Sequence, residues 1–242
     1  MKQNKEKGRK TSNKTILTIA ICCLSTFAKA QLGYNYNQYE IGVVAGFNQV
    51  FGAAPTSPVS NSVGLNFTIN QTPFVNYVFE AQIGTFKGGD SINTYSKRQF
   101  TSNFNSFAFR GQLQLGEIIE YGSDPFANAI KNIYISTGLG IEVSQITSIR
   151  RANTYGVGYS AGPNNNADAF IPFRLGYELK MYNSYNIPYM MIDLAGNFNL
   201  VLSNNLDGYL AHTNYDVFTQ FSIGVKFALG SGSISYRKPI TY

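Results

Sequence analysis

The chain has little of the chemistry that most enzymes and metal sites use. It contains two cysteines, one histidine and no tryptophan in 242 residues, and 13% of its residues are charged, against about a quarter in a typical soluble domain. After residue 30, no run approaches the roughly 18 consecutive apolar residues that indicate a transmembrane helix. These shortages disfavour disulfides, thiol chemistry, multi-histidine metal centres and an ordinary charged soluble surface.

The net charge of +6 belongs to the beginning of the chain. Residues 1–30 hold seven of the 19 basic residues and one of the 13 acidic residues, which leaves 12 of each in residues 31–242. A protein that binds nucleic acid usually carries a basic surface that neutralises phosphates. With its charges balanced after residue 30, the chain is not expected to bind nucleic acid.

The first 30 residues have the layout of a secretory signal peptide. A basic segment, 2–14, is followed by a mostly apolar stretch, 15–27, and by the small-residue motif Ala28-Lys29-Ala30. This order is typical of a cleaved export signal, and the motif disfavours the alternative of an uncleaved anchor. Cys22 and Cys23 both lie within this predicted signal peptide. We therefore expect a mature chain, 31–242, without cysteine. A lipoprotein is disfavoured, since Ile21 rather than a small residue precedes Cys22.

Apolar and polar residues alternate with period 2 in eight later segments. In the first, Ile41, Val43 and Phe47 alternate with Glu40 and Asn48. The segments cover about 40–48, 63–69, 75–84, 106–115, 133–144, 171–180, 190–200 and 217–227. Such alternation predicts strands with one apolar face, and the lengths approach the roughly 9–11 residues of a tilted membrane strand. Phe100 and Phe104 fall out of phase with the fourth segment, which suggests a bulge near residues 103–105.

The connections between the segments alternate in length. Four are long and rich in Gly, Asn, Ser and Pro, at about 52–61, 87–99, 148–168 and 203–214, and two are tight, at 70–73 and 182–186. Short turns on one side and long loops on the other are typical of outer-membrane barrels. The connection 116–132 is an exception, and Asp124-Pro125 within it predicts the start of a short helix.

The composition of the polar face indicates where the apolar face points. A soluble barrel or sandwich also alternates, but its polar face meets water and usually carries many charges. Here the polar face is mostly Gly, Ser, Asn, Gln and Ala, which suits the interior of a narrow barrel surrounded by lipid. Aromatic residues near predicted strand ends fit interfacial girdles: Tyr39, Phe51, Phe86, Tyr134, Tyr182, Tyr189 and Tyr215.

The chain resembles the small eight-stranded outer-membrane barrels with the OmpA-like transmembrane fold. The resemblance rests on the predicted signal peptide and on three predicted strands. These strands are "YISTGLGIEV", "FIPFRLGYEL" and the last one, "DVFTQFSIGVKFALG". The segment "NNLDGYL" followed by a final strand looks like barrels linked to the type IX secretion system. The resemblance covers about residues 38–230. The chain departs from the pattern after Phe227, where we expect a short tail, "GSGSISYRKPITY", in place of a peptidoglycan-binding domain.

Nine charged residues are predicted to face the barrel lumen. They are Glu40, Glu80, Glu142, Glu178 and Asp193 against Arg110, Arg174, Lys180 and Lys226. An eight-stranded barrel is just wide enough for its side chains to fill it, and unpaired charges there are costly. We therefore favour a plug of paired charges over the alternative of a gated ion path.

Other motifs carry less weight. "GYSAG" at 158–162 matches a hydrolase elbow around Ser160, and Ser160, Asp207 and His212 follow a hydrolase order. The elbow needs a strand before the serine and a helix after it, which the flanks "TYGV" and "PNNN" do not supply. His212 has no histidine or cysteine partner for a metal, and no cofactor motif is present.

These observations predict an all-β protein, an eight-stranded antiparallel up-and-down transmembrane β-barrel preceded by a signal peptide. We expect it in the outer membrane of a Gram-negative cell, in contact with lipid and without cofactor, metal or nucleic acid. A non-enzymatic structural or interaction role is favoured, with the long outer loops as the contact surface and envelope or secretion proteins as partners. The alternatives are a narrow passive pore, a component of secretion or assembly machinery and, least favoured, a lipid or ester hydrolase.

Overall fold

Eight antiparallel strands close into a barrel in the computed structural model, which describes residues 34–52, 54, 56–90, 98–119, 124–150, 162–203, 206–209, 216–230 and 234–236. The strands in chain order are β1 (Tyr34–Tyr36), β2 (Tyr39–Phe51), β3 (Ser60–Asn70), β4 (Val75–Gly89), β5 (Gln99–Gln114), β6 (Ile133–Arg150), β7 (Asn165–Tyr182), β8 (Pro188–Val201), β9 (Val217–Leu229) and β10 (Ile234–Tyr236). A short 3-10 helix, Leu115–Glu117, and an α-helix, α1 (Pro125–Ile130), precede β6. Strands β2 to β9 form the barrel, and β1 pairs with β10 outside it.

The first and last barrel strands pair to close the sheet. Tyr39 lies opposite Leu229, and Phe51 lies opposite Val217. Closure satisfies the backbone hydrogen bonds of both strands, which hydrocarbon requires because it offers no alternative partner. We call the end of the barrel that contains Tyr39 and Leu229 the terminal end, and the end that contains Phe51 and Val217 the loop end.

The two faces of every barrel strand follow the predicted alternation. The outward rows are apolar and exposed, as at Leu65 (60% exposed) and Leu139 (68%). The inward rows are buried and mostly polar, as at Asn48, Glu80 and Arg110. A soluble protein has the reverse arrangement, with apolar side chains inside and polar ones outside. The predicted fold and the predicted direction of its faces are therefore confirmed.

Two predictions about aromatic residues are wrong. Phe86 and Tyr134, expected in interfacial girdles, are buried in the barrel interior, whereas Tyr39, Phe51 and Tyr189 are exposed at strand ends as expected. Phe100 and Phe104 also face inward, in phase with Arg110. Large apolar side chains therefore occupy inward positions, and the alternation of inward and outward side chains along β5 stays regular.

The predicted bulge is also misplaced. The register of β5 against β6 shifts between Thr101 and Ser102, where Thr147 is the extra residue on β6. It does not lie at residues 103–105, which pair regularly with β6. The inward position of Phe104, rather than a bulge, explains why this aromatic residue departs from the outward row.

The terminal end is covered by short elements that the sequence only partly predicts. The predicted helix start is confirmed, since the Phe126 amide donates to Asp124 Oδ1 at 3.0 Å and Pro125 opens α1. The chain after the barrel returns as β10 and pairs with β1. The Tyr236 hydroxyl donates to Glu117 Oε1 at 2.9 Å, and its ring meets Phe74 edge-on at 6.5 Å. The tail thus packs against the terminal end.

Among the described residues, no helix is long and apolar enough to cross a membrane.

Candidate functional site

The barrel interior contains a charge network centred on Arg174. Arg174 Nη2 donates to Asp193 Oδ2 at 2.6 Å, and Arg174 Nη1 donates to Glu80 Oε2 at 3.2 Å. Arg110 Nη2 reaches the same Glu80 oxygen at 2.6 Å. Arg174 Nε donates to the Tyr134 hydroxyl at 2.8 Å, and this hydroxyl donates to Asp193 Oδ1 at 2.6 Å. These five side chains come from β4, β5, β6, β7 and β8, so the network ties opposite walls together.

A second group lies nearer the terminal end, around Glu178. Lys226 Nζ forms a salt bridge with Glu178 Oε1, and Lys180 Nζ lies 4.0 Å from Oε2. Gln112 and Gln114 donate to the two Glu178 oxygens at 2.9 and 2.5 Å. This carboxylate therefore has partners on both oxygens, as a buried carboxylate requires.

Eight of the nine predicted lumen charges belong to these two groups. Glu40 joins the second group, since it accepts a hydrogen bond from Asn70 Nδ2 at 2.6 Å and interacts electrostatically with Lys226 and Lys180. The described network thus contains four acids, Glu40, Glu80, Glu178 and Asp193, and four bases, Arg110, Arg174, Lys180 and Lys226. Its formal charge is zero. Glu142, the ninth, lies apart from it.

A layer of uncharged polar side chains follows toward the loop end. Gln220 Nε2 donates to Gln82 Oε1 at 2.8 Å and to Ser62 Oγ at 3.0 Å. Asn197 Nδ2 donates to Gln220 Oε1 at 2.6 Å, and Gln82 Nε2 donates to Glu80 Oε1 at 2.7 Å. The last bond connects this layer to the charge network.

An aromatic plug fills the interior near the loop end. Phe86 and Phe104 stack with ring centroids 4.1 Å apart, and Phe218 lies 5.0 Å from Phe86. The plug is the buried cluster Val50, Phe86, Phe100, Phe104, Phe170, Val201, Leu206, Tyr209 and Phe218. Sequence reasoning missed it, although the parity that places Glu80 and Gln82 inside also places Phe86 inside.

Part of the connection between β8 and β9 folds into the mouth of the barrel. Leu206 and Tyr209 are fully buried in the plug. The Tyr209 hydroxyl lies within hydrogen-bond distance of two backbone carbonyl oxygens. It is 2.8 Å from that of Arg150, at the end of β6, and 3.1 Å from that of Gln99, at the start of β5. Gly208 has a φ of 71°, and a Cβ there would lie 2.1 Å from Ile146 Cδ1. The "LDGY" part of the sequence motif "NNLDGYL" therefore closes the loop end.

Acidic side chains gather beside the plug. Glu142 on β6 is the cross-strand partner of Asp168 on β7. Glu142 and Asp168 both interact electrostatically with Asp216, which precedes β9. Burial, followed by the negative charge of Asp207, raises the pKa of Asp216 to about 7. Asp168 was not predicted as a lumen residue because the sequence placed it in a loop, whereas β7 begins at Asn165.

Two small cavities lie along the described lumen. One cavity of about 20 Å³ lies within it, lined by residues that include Glu80, Arg110 and Phe218. Another of about 20 Å³ lies at the terminal end, beside Glu40, Asn70 and Lys180. A cavity of this size holds about one water molecule.

The candidate hydrolase and metal residues receive no support as a site. Ser160 and His212 lie outside the described residues, as does Tyr215 of the predicted girdles. Asp207 is described and buried, and its Oδ1 accepts a hydrogen bond from the Tyr209 amide at 3.0 Å. Within the described ranges, no group of three or more His, Cys, Asp or Glu side chains is arranged to hold a metal ion.

Comparison with known proteins finds similar barrels among solved structures. No family model and no curated protein matches the chain. Neisserial surface protein A is 9% identical over 79% of this chain and 97% of its own, with a TM-score of 0.43. The Yersinia pestis attachment invasion locus protein Ail, in complex with the heparin analogue sucrose octasulfate, is 10% identical over 79% and 98%, with a TM-score of 0.44. The outer membrane protein AlkL is 12% identical over 85% and 95%, with a TM-score of 0.39.

The architecture itself defines the class of protein. A closed barrel removes free strand edges, and an apolar exterior around a polar interior suits lipid rather than water. The chain is an eight-stranded outer-membrane β-barrel protein with an apolar exterior.

Proposed function

We propose that this protein is a non-conducting, non-enzymatic barrel of the cell envelope that acts through contacts at its loop end. The observation that carries the proposal is the filled interior. The charge network, the polar glutamine layer and the aromatic plug follow one another from the terminal end to the loop end. A pore needs a continuous aqueous path, and neither small cavity supplies one.

The filled interior predicts that the barrel does not conduct ions. Purified protein reconstituted into planar lipid bilayers is expected to show no unitary current steps, because ions would have to cross both the salt-bridged network and the apolar aromatic plug. A porin inserted into bilayers of the same composition serves as the positive control. Stable unitary currents whose frequency rises with the amount of protein would favour the narrow pore instead.

The loop end offers the surface for contacts. Connections between strands at this end span 52–59, 90–98, 151–164 and 202–216, and the longest of them are rich in Asn, Gly and Tyr. Val59 (56% exposed) and Leu202 (47%) are apolar residues of these connections that remain exposed. Loops held by a rigid scaffold commonly carry the binding functions of a protein. An envelope protein is the class of partner that we favour.

Site-specific photo-crosslinking in cells tests this surface. A photoreactive amino acid at Val59 or Leu202 is expected to give a discrete protein adduct. Leu139, which faces lipid, and Tyr185, which is 76% exposed in the turn at the terminal end, are the matched control positions. Adducts from Tyr185 alone, or from none of the four positions, would contradict the proposal. The identity of an adduct distinguishes a secretion or assembly component from another envelope protein.

A further inference from the structure

Among the nine predicted lumen charges, Glu142 lies outside the neutral network of the described structure. Four acids and four bases form the neutral network, and Glu142 remains as the fifth acid of the predicted set. Glu142 is 1% exposed, and neither of its carboxyl oxygens has a hydrogen-bond partner among the described residues. The charged groups that act on it in the described structure are Asp168 and Asp216, both acids. A buried carboxylate in such surroundings is costly unless something positive compensates it.

Two neighbouring side chains present further oxygens without partners. Ser144 lies two residues along β6 on the same inward face, is 2% exposed, and its Oγ has no partner in the described part of the chain. Asp168 lies opposite Glu142 on β7, and its Oδ2 also has no hydrogen-bond partner among the described residues. Glu142, Ser144 and Asp168 therefore hold four of the 11 unpartnered side-chain atoms found among the described residues. These four atoms are all oxygens, and they lie at adjacent positions.

The geometry points to a binding site for Ca²⁺: we propose that Glu142, Ser144 and Asp168 ligate a calcium ion on the inner wall near the loop end. Cross-strand partners have Cβ atoms about 4.5–5.5 Å apart, which lets both carboxylates reach one ion. Ca²⁺ accepts six to eight oxygen ligands, including bidentate carboxylates, hydroxyls and water. Asp168 is only half-buried, and it therefore gives the ion a route from solvent and room for water ligands.

Ca²⁺ fits these ligands better than other ions do. Zn²⁺, Cu²⁺ and Ni²⁺ prefer nitrogen and sulfur ligands, which none of the three side chains supplies. Mg²⁺ demands near-ideal octahedral geometry and gives up its water reluctantly, whereas Ca²⁺ tolerates an irregular set. With two carboxylates, the expected dissociation constant is on the order of 10⁻⁴–10⁻³ M, the range of extracellular calcium modules.

Calcium titration of the purified full chain tests the proposal. The protein is refolded in detergent without lipopolysaccharide, which itself binds divalent cations, and is stripped with EDTA. Calorimetry with CaCl₂, and tyrosine-sensitised luminescence with Tb³⁺ as a calcium probe, are expected to show one saturable site. Glu142→Gln should weaken binding at least tenfold, and Ser144→Ala, a smaller change, should weaken it severalfold. Glu117→Gln, at the terminal end, is the control and should bind like the unaltered chain.

Three outcomes overturn the proposal. The unaltered chain could show no saturable binding up to about 10 mM Ca²⁺, about ten times the weakest expected dissociation constant. Glu142→Gln and Ser144→Ala could bind as tightly as the control. Glu142→Gln could also be more stable than the unaltered chain while neither binds Ca²⁺, which would indicate that no cation compensates the buried Glu142. Circular dichroism of each variant ensures that only folded protein is compared.

Discussion

Replacing Arg174 by methionine is expected to lower the free energy of unfolding by about 3–5 kcal/mol, the cost of breaking a buried ion pair by removing one partner. Arg174 is 4% exposed and bonds Glu80, Asp193 and Tyr134. Without it, the neutral network carries one uncompensated negative charge. Asp193 is affected most, since it would keep only its bond from the Tyr134 hydroxyl among the hydrogen bonds found in the described structure.

Equilibrium unfolding in urea measures this loss. The barrel is refolded in phosphatidylcholine vesicles and followed by circular dichroism and tyrosine fluorescence, since the chain has no tryptophan. Arg150→Met removes the same charge from an exposed residue at the loop end and should cost less than about 0.5 kcal/mol. The double variant Arg174→Met/Asp193→Leu restores charge balance and should recover part of the loss. An Arg174→Met chain as stable as Arg150→Met would contradict the central role of Arg174.

Truncating Phe86 to alanine is expected to cost about 3–5 kcal/mol, as for other buried phenylalanines. Phe86 is fully buried between Phe104 and Phe218. The loss contains the transfer free energy of the ring and the cost of a cavity that the rigid barrel wall cannot close. In a closed sheet the strands cannot move inward without breaking their hydrogen bonds, so little relaxation is expected.

Phe107→Ala supplies the matched control for the plug. Phe107 is 58% exposed on the lipid face of β5. Its truncation also loses the transfer free energy of a phenylalanine ring, about 2 kcal/mol, but lipid chains refill the space and no cavity remains. The same urea titration should therefore give a clearly larger loss for Phe86→Ala. Equal losses would show that the plug is not tightly packed.

The direction of each side chain could be predicted from sequence. Because the side chains of a strand alternate with period 2, the outward row of β4, which includes Tyr77 and Phe79, places Glu80 inside. The same rule places Phe86 inside, yet its position near a strand end led to the prediction of a girdle residue. Phe86 shows that parity within the strand outweighs the preference of aromatic residues for an interface.

The partners of the inward charges could not be predicted in the same way. Glu80 and Arg174 lie on β4 and β7, which are not neighbours in the sheet. Their contact depends on the diameter of the barrel and on the stagger of the strands around it, which local periodicity does not contain. For the same reason, the sequence did not indicate that Glu142 would lie beside Asp168 and Asp216 in the described structure. The pairing of β1 with β10 escaped prediction because three-residue segments are too short to show a period.

The sequence by itself determined the strands, their closure into a lipid-facing barrel and the identity of the side chains that face its interior. These follow from local alternation and from the need to satisfy every backbone group in hydrocarbon. Only the tertiary structure decided which interior side chains meet. It joined Arg174 to Glu80 and Asp193, stacked Phe86 on Phe104, and left Glu142 beside Asp168. These contacts join strands distant in the chain, and closure of the barrel sets their distances.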